Sequence, residues 1–160
     1  MKVKDLMTSE VTSCDLNASL ADAAKAMWDH DCGVLPVLKD GKELVGVITD
    51  RDICMASAMR DINPSQISVE ESITGEVFST TPDTDLQKAL DKMGQHQVHR
   101  LPVVDSQGQL IGILSMNNVI QCFDRKGMDL TPKKIVEAFK SIGTQRQLPE
   151  KNEQAISATV

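Results

Sequence analysis

The chain is nearly bare of aromatic side chains. It has no tyrosine, one tryptophan and three phenylalanines in 160 residues. Few platforms remain on which nucleic-acid bases can stack. Basic residues are the minority, 17 Lys and Arg against 23 Asp and Glu, and the net charge is -6 with a pI near 5.0. The basic footprint of a nucleic-acid binder is therefore missing. No apolar run approaches the roughly 20 residues a membrane helix needs. Met1-Lys2-Val3-Lys4-Asp5 lacks the apolar stretch of a signal peptide,. These absences read as a cytoplasmic protein without nucleic-acid or membrane partners. Cysteines stand at 14, 32, 54 and 122, with no Cys-x-x-Cys pair, so neither a zinc nor a redox motif is indicated,. No serine or cysteine has the strand-turn-helix setting of a nucleophile elbow.

What the chain does have is a repeat. Thr8 to Ile53 recurs as Thr74 to Val119, at a fixed offset of 66 and without a gap. Leu35-Pro36-Val37 returns as Leu101-Pro102-Val103, and Leu44-Val45-Gly46-Val47-Ile48-Thr49 returns as Leu110-Ile111-Gly112-Ile113-Leu114-Ser115. Leu20, Ala23, Met27 and His30 return as Leu86, Ala89, Met93 and His96. Two like units each offer an apolar face for the other to cover. A cleft between them is a natural ligand site. The length suits one domain or two intimate lobes with a core of ordinary size.

In the first copy Val11-Thr12-Ser13 reads as extended. Asn17 or Ser19 can cap a helix carrying Leu20, Ala23, Ala24 and Met27 at one-faced helical spacing, with Gly33 marking its end. Val34 to Leu38 and Leu44 to Ile48 form a hairpin around Lys39-Asp40-Gly41-Lys42. Thr49 and Asp52 then open a helix with Ile53 and Ala56 on its face. The second copy repeats the order: Val77 to Ser79 extended, Asp83 or Asp85 before a helix with Leu86, Ala89, Leu90 and Met93, a hairpin of Leu101 to Val104 and Leu110 to Leu114 around Ser106-Gln107-Gly108, and Ser115 with Asn118 opening a helix with Val119 and Phe123. Residues 60–71 are polar, contain Pro64 and read as a linker. Thr131-Pro132 starts a short helix near 131–142 with Ile135, Val136 and Phe139. From Gly143 the chain is polar and reads as disordered.

Cys32 and Cys54 align with Val98 and Ile120, which reads as small core residues in a reducing compartment. Met27, Met93, Met55 and Met59 read as core or interface packing. His96-x-x-His99 has the spacing of a metal pair, but His96 matches His30 at a helix end and no acidic or cysteine ligand stands at useful spacing, so no metal is expected.

Thr49-x-x-Asp52 is the sharpest local signal. It reads as a helix cap, with Asp52 complementing the positive helix end. The same geometry offers a carboxylate at the end of a strand to the hydroxyls of a ribose, as in dinucleotide folds. Spacing alone leaves both readings open.

Gly33-Val34-Leu35-Pro36-Val37, a short turn, then Leu44-Val45-Gly46-Val47-Ile48-Thr49-Asp50-Arg51-Asp52-Ile53 closely resembles a CBS (cystathionine-β-synthase) motif. His99-Arg100-Leu101-Pro102-Val103-Val104-Asp105 through Gly112-Ile113-Leu114-Ser115 resembles a second. Two in tandem make a Bateman module, and the resemblance spans about residues 3 to 124. It implies an α/β fold of two βαββα motifs related by pseudo-two-fold symmetry, with their small sheets packed together. The expected division is motif 1 at 3–59, the linker at 60–71, motif 2 at 72–124, and a C-terminal extension at 125–160.

The resemblance further implies a stand-alone regulatory binding module rather than an enzyme. It would take an adenosine-containing ligand (AMP, ADP, ATP or S-adenosylmethionine) between the motifs and signal to a protein partner, with no required cofactor. Carried onto this chain, Thr49 and Asp52 would hold a ribose, backbone near Thr12, Cys14 and Val34, with Pro36, would surround the adenine, Arg51 would face phosphate, and Gly33 would belong to the same site. In a second, weaker site Ser115 matches Thr49, Phe78 and Thr80 match Thr12 and Cys14, Pro102 matches Pro36, and His99 with Arg100 would face phosphate. Asn118 stands where a ribose-binding Asp is expected, and a neutral amide makes weaker bonds than a carboxylate. The resemblance also implies a homodimer, joined through apolar faces including Ile53, Met59, Val119 and Phe123. The rival expectation is a ligand-free dimerisation or interaction module, with Thr49 and Asp52 capping a helix only.

Overall fold

The computed structural model describes residues 1–73, 76–123 and 130–144. Each of its two lobes is started by a Ser, Thr or Asp before an amphipathic run. In the first, Ser19 accepts from the Asp22 amide at 3.1 Å while the Asp22 carboxylate takes the Ser19 N–H, a capping box that starts helix α1 (Leu20–Asp29),. Asn17 instead donates to Asp15. Leu20, Ala23 and Met27 are buried, and Ala24 faces out. The helix ends at His30, before Gly33, and the left-handed residue that turns the chain is Asp31 (φ 49°). An Asp tolerates that conformation better than most side chains, so glycine was not needed there.

The extended stretch lies slightly later than Val11-Thr12-Ser13: strand β1 is Cys14–Asp15. It pairs parallel with β2 (Val34–Lys39), which pairs antiparallel with β3 (Glu43–Thr49). The hairpin turns on Asp40 and Gly41, both at positive φ (51° and 72°), as a tight primed turn requires. Leu35 faces Ile48 on the buried side, beneath α1. By strand alternation Val34, Pro36, Val47 and Thr49 stand on the other face. Helix α2 (Asp50–Arg60) follows, with Ile53 buried.

The second lobe repeats this with α3 (Leu86–His96), β4 (Arg100–Val104), β5 (Leu110–Ser115) and α4 (Met116–Gln121). Leu86, Ala89, Leu90 and Met93 are all buried. Asp85 precedes α3, but its side chain makes no cap bond and pairs with Lys2 at 2.8 Å. Val77 to Ser79 form no strand; the pairing falls on Thr80, a single parallel bridge to Val103. The mixed α/β fold and its pseudo-symmetry are as the repeat implies. The two hairpins meet at Glu43 and Gln109, repeat-equivalent residues joined by an antiparallel bridge.

The repeat extends further back than its sequence similarity. Val3 and Leu6 are buried in the second lobe, while Ile67 and Val69 are buried in the first. Val3 donates its N–H to Thr84 and Val69 donates to Ala18; Leu86 donates to Met1 and Leu20 to Ile67. Every one of these pairs is related by the same offset of 66. Each lobe is therefore completed by the segment that precedes the other lobe's repeat.

Helix α5 (Pro132–Ile142), capped by Thr131, lies on α3. It buries Ile135 and Ile142, with Ala138 against the same cluster. Val136 and Phe139 point outward. Gly143 and Thr144 still make backbone bonds to the end of α5, and the rest of the tail read as disordered lies outside the described residues. Met27 and Met93 are core, and Met55 and Met59 are exposed, which their reading as core or interface residues allows. Two further expectations are corrected. Cys54 is exposed, on the outer side of α2. Of the proposed dimer face, Ile53 and Val119 are buried within their own lobes and Phe123 is partly buried, which leaves Met59, 78% exposed, as the free member.

Candidate functional site

Thr49 ends β3 and Asp52 lies in the first turn of α2, so the strand-to-helix junction fixes both. Asp52 Oδ2 accepts from Thr49 Oγ1 (2.7 Å) and from Thr49 N (3.0 Å), while Asp52 N donates to Thr49 Oγ1 (3.1 Å). One carboxylate oxygen is thereby committed. Asp52 Oδ1 has no partner among the described residues. Asp52 lines a hollow of about 470 Å³ with Met55, Ala56, Met59, Arg60, Glu71 and Ser72. Arg60 there holds the Glu71 carboxylate at 2.8 Å and its carbonyl at 3.1 Å. A hydrogen bond from Ser68, and then the Arg60 guanidinium, hold the Glu71 carboxyl below its usual range.

The other first-site residues divide. Val34 is the cross-strand partner of Thr49, and Pro36 sits two residues along the same face,. Cys14, on β1, pairs with Val37 of the adjoining strand. Burial pushes its thiol up to about 11. Cys14 is thus a protonated, apolar-lined side chain near neutral pH rather than a nucleophile. Thr12 precedes β1 and makes no hydrogen bond to this group among the described residues. Arg51 is exposed on the outside of α2, its N–H on Asp50 Oδ1. Gly33 lines a different hollow, between α1 and α2.

In the second lobe Asn118 reproduces the cap. Its Oδ1 accepts from Ser115 Oγ (2.7 Å) and Ser115 N (2.8 Å), and its Nδ2 donates to Thr8 Oγ1 (3.3 Å). Both ends of the amide are used, an engagement with Thr8 that the repeat pattern did not reveal. Pro102 is buried in β4, and Thr80 is 7% exposed beside Val103. Phe78 stacks on His96, ring centroids 3.7 Å apart, so it is already occupied. His99 and Arg100 are exposed, and the His99 ring meets the edge of Phe139 from α5 at 6.5 Å. Among the described residues no group of His, Cys, Asp and Glu is arranged to hold a metal, and no helix is long and apolar enough to cross a membrane.

Two lobes of one design, each with a capped strand-to-helix junction beside a hairpin, define a tandem two-motif module. The CBS domain profile matches residues 3–58 and 69–125, and the chain belongs to the CBS domain family. It is similar to the CBS domain-containing protein YhcV of Bacillus subtilis strain 168, at 37% identity over 117 residues, 73% of this chain and 81% of that protein. Among solved structures it resembles the CBS domain pair of protein MJ0100 in complex with 5'-methylthioadenosine and S-adenosyl-L-methionine. The TM-score there is 0.69 at 28% identity, over 77% of this chain and 99% of that one. It also resembles CBSX2 in complex with AMP, TM-score 0.66 at 29% identity, over 76% and 95% of the two chains.

Proposed function

We propose that this CBS pair is a cytoplasmic regulatory sensor, not an enzyme, that binds an adenosine-containing ligand beside Thr49 and Asp52. On this reading the ligand favours one arrangement of the lobes and a protein partner reads it. The observation that carries the proposal is the half-used carboxylate. Oδ2 of Asp52 is spent on Thr49, and Oδ1 remains to accept from a ribose hydroxyl. Val34 and Pro36 line the same face for an adenine, with Cys14 on the adjoining strand. Arg51 supplies positive charge to a phosphate. Two relatives of similar fold are named as complexes with adenosyl compounds, which supports the class without choosing the member.

The second site, built from Phe78, Thr80, His99, Arg100, Pro102, Ser115 and Asn118, is the weaker one. Asn118 has no spare acceptor group, and Phe78 is committed to His96. We also take the working unit to be a homodimer. The signal requires a ligand whose affinity differs between two arrangements.

Isothermal titration with AMP, 5'-methylthioadenosine and S-adenosylmethionine tests the proposal. At least one of them binds the wild type and fails to bind Asp52→Ala. If none binds, or if wild type and variant bind equally, Thr49 and Asp52 are a helix cap and the module is a ligand-free interaction device.

A further inference from the structure

The pseudo-symmetry exposes an imbalance. On the second lobe, α5 lies against the α3 side of the motif. Ser141 sits on Gly94, Gln97 Nε2 donates to the Thr144 carbonyl at 2.6 Å, and Phe139 meets His99. Ile135 and Ile142 join the cluster that holds Met93, Met116 and Val119. Subtracting 66 from those second-lobe positions gives Trp28, Asp31, Gly33, Met27, Asp50 and Ile53. All six line the hollow of about 420 Å³ between α1 and α2. The groove that α5 fills on one lobe is thus present and open on the other.

The open groove has been altered where α5 would lie. Any Cβ at Gly94 would come within 2.9 Å of Ser141 Oγ. Its equivalent is Trp28, the only tryptophan, and that side chain is 86% exposed. Trp28 therefore excludes a helix seated as deeply as α5 is on the second lobe. It leaves a helix lying higher, across the indole. Gln97 and Met116 are replaced by Asp31 and Asp50, which turn a neutral rim acidic. Among the described residues the Asp50 carboxylate accepts only from the adjacent Arg51 N–H, and the Asp31 carboxylate has no partner.

The outer face of α5 has the matching chemistry. Lys133 and Lys140 are exposed beside Val136 and Phe139, with Glu137 3.9 Å from Lys133, while Lys134 lies on the opposite flank of the helix,. This face is basic with an apolar centre, and the groove is acidic with an apolar centre.

We propose that the groove of α1 and α2 receives the outer face of α5 from a second copy of this chain, and that the exchange is mutual across a two-fold axis. Trp28 packs on Val136 and Phe139, while Asp31 and Asp50 face the lysines. A two-fold contact makes each copy both donor and acceptor, which is how such interfaces close. The exposed apolar side chains Trp28 of α1 and Val136 and Phe139 of α5 are covered together. This inference rests on the homodimer reading above and names its surface.

Sedimentation velocity on the full chain, with Trp28 fluorescence followed on dilution, tests it. The wild type is a dimer whose single tryptophan shifts to longer wavelength as it dissociates. Trp28→Ala and Lys140→Glu each weaken dimerisation at least ~10-fold, a single charged or aromatic anchor's usual share. Combining Lys140→Glu with Asp50→Lys recovers most of the loss, and circular dichroism shows all variants folded. A dimer indifferent to these changes overturns the surface and leaves the homodimer standing. A monomeric wild type overturns both and leaves the groove to another partner.

Discussion

Asp52 is held by one oxygen and open at the other, so its two tasks separate by substitution. Asp52→Ala removes adenosyl-ligand binding and costs about 1 kcal/mol of stability through the lost cap; calorimetry and chemical denaturation read the two effects independently. Asn118→Asp keeps the bonds from Ser115 and puts an oxygen where the amide nitrogen now meets Thr8. A free acceptor appears in the second lobe, and AMP affinity there rises by roughly tenfold, about 1.4 kcal/mol. Titration of wild type against variant checks it, and no gain would locate the limit elsewhere, in Phe78 or His99. Cys14 sets an alkaline limit. The unfolded thiol ionises near 9.0, whereas the folded one holds its proton to about 11. Between these values the unfolded chain binds fewer protons, so stability falls as pH rises. Mass spectrometry after brief alkylation at pH 8 should find exposed Cys54 labelled before Cys14. The Thr49 and Asp52 pair was legible in the sequence because a cap is a local pattern. That Asn118 would be tied to Thr8 was not, since 110 residues separate them.

Helix α5 shows what a periodic pattern can and cannot tell. Its existence and its start at Thr131-Pro132 were legible. Its inward face was not, because Ile135, Val136 and Phe139 fit one stripe as well as Ile135, Ala138 and Ile142 fit another. Gly94 decides between them: without a side chain there, Ser141 can approach and the helix rolls onto Ile142. Gly94→Ala therefore forces α5 away from α3 despite the gain in helix propensity. Overpacking of this kind costs about 1–3 kcal/mol, and a lowered thermal midpoint would register it. An unchanged midpoint would mean that α5 is not pressed against α3 at that point. The end of α1 was misplaced for a related reason: Gly33 looked like the terminator, but Asp31 takes the left-handed conformation.

At the scale of the molecule, the crossing segments matter most. Leu6 is 6% exposed within the second lobe, so Leu6→Ala should cost about 2–4 kcal/mol of stability,, measurable in urea. Lys2 and Lys4 pin the same segment to Asp85 and Asp83 at 2.8 and 2.7 Å. Hydrogen bonds from those lysines lower both carboxyl pKa values in the folded chain. Their contribution is present above the unfolded carboxylate value of 3.8 and is lost as pH falls through the lowered folded values,. The exposure of all four groups keeps it small and salt-sensitive. Acid unfolding followed at low and high salt should show the difference. The βαββα order was legible twice over in the repeat, yet similarity stops at Thr8 and Thr74. The matches Val3 with Val69 and Met7 with Ile73 lay beyond that edge, too sparse to read without the fold.

Those crossings also set a timetable for synthesis. The first lobe has all its buried parts once Ile73 has left the ribosome. Residues 1–8 must wait for α3, β4, β5 and α4, about 50 residues and several seconds later at roughly 5–20 residues per second. Through that interval Val3 and Leu6 travel attached to a finished neighbour that has no place for them. Apolar side chains made before the first lobe find shelter only once the second is made, and a chaperone or a stalled ribosome would meet them in between.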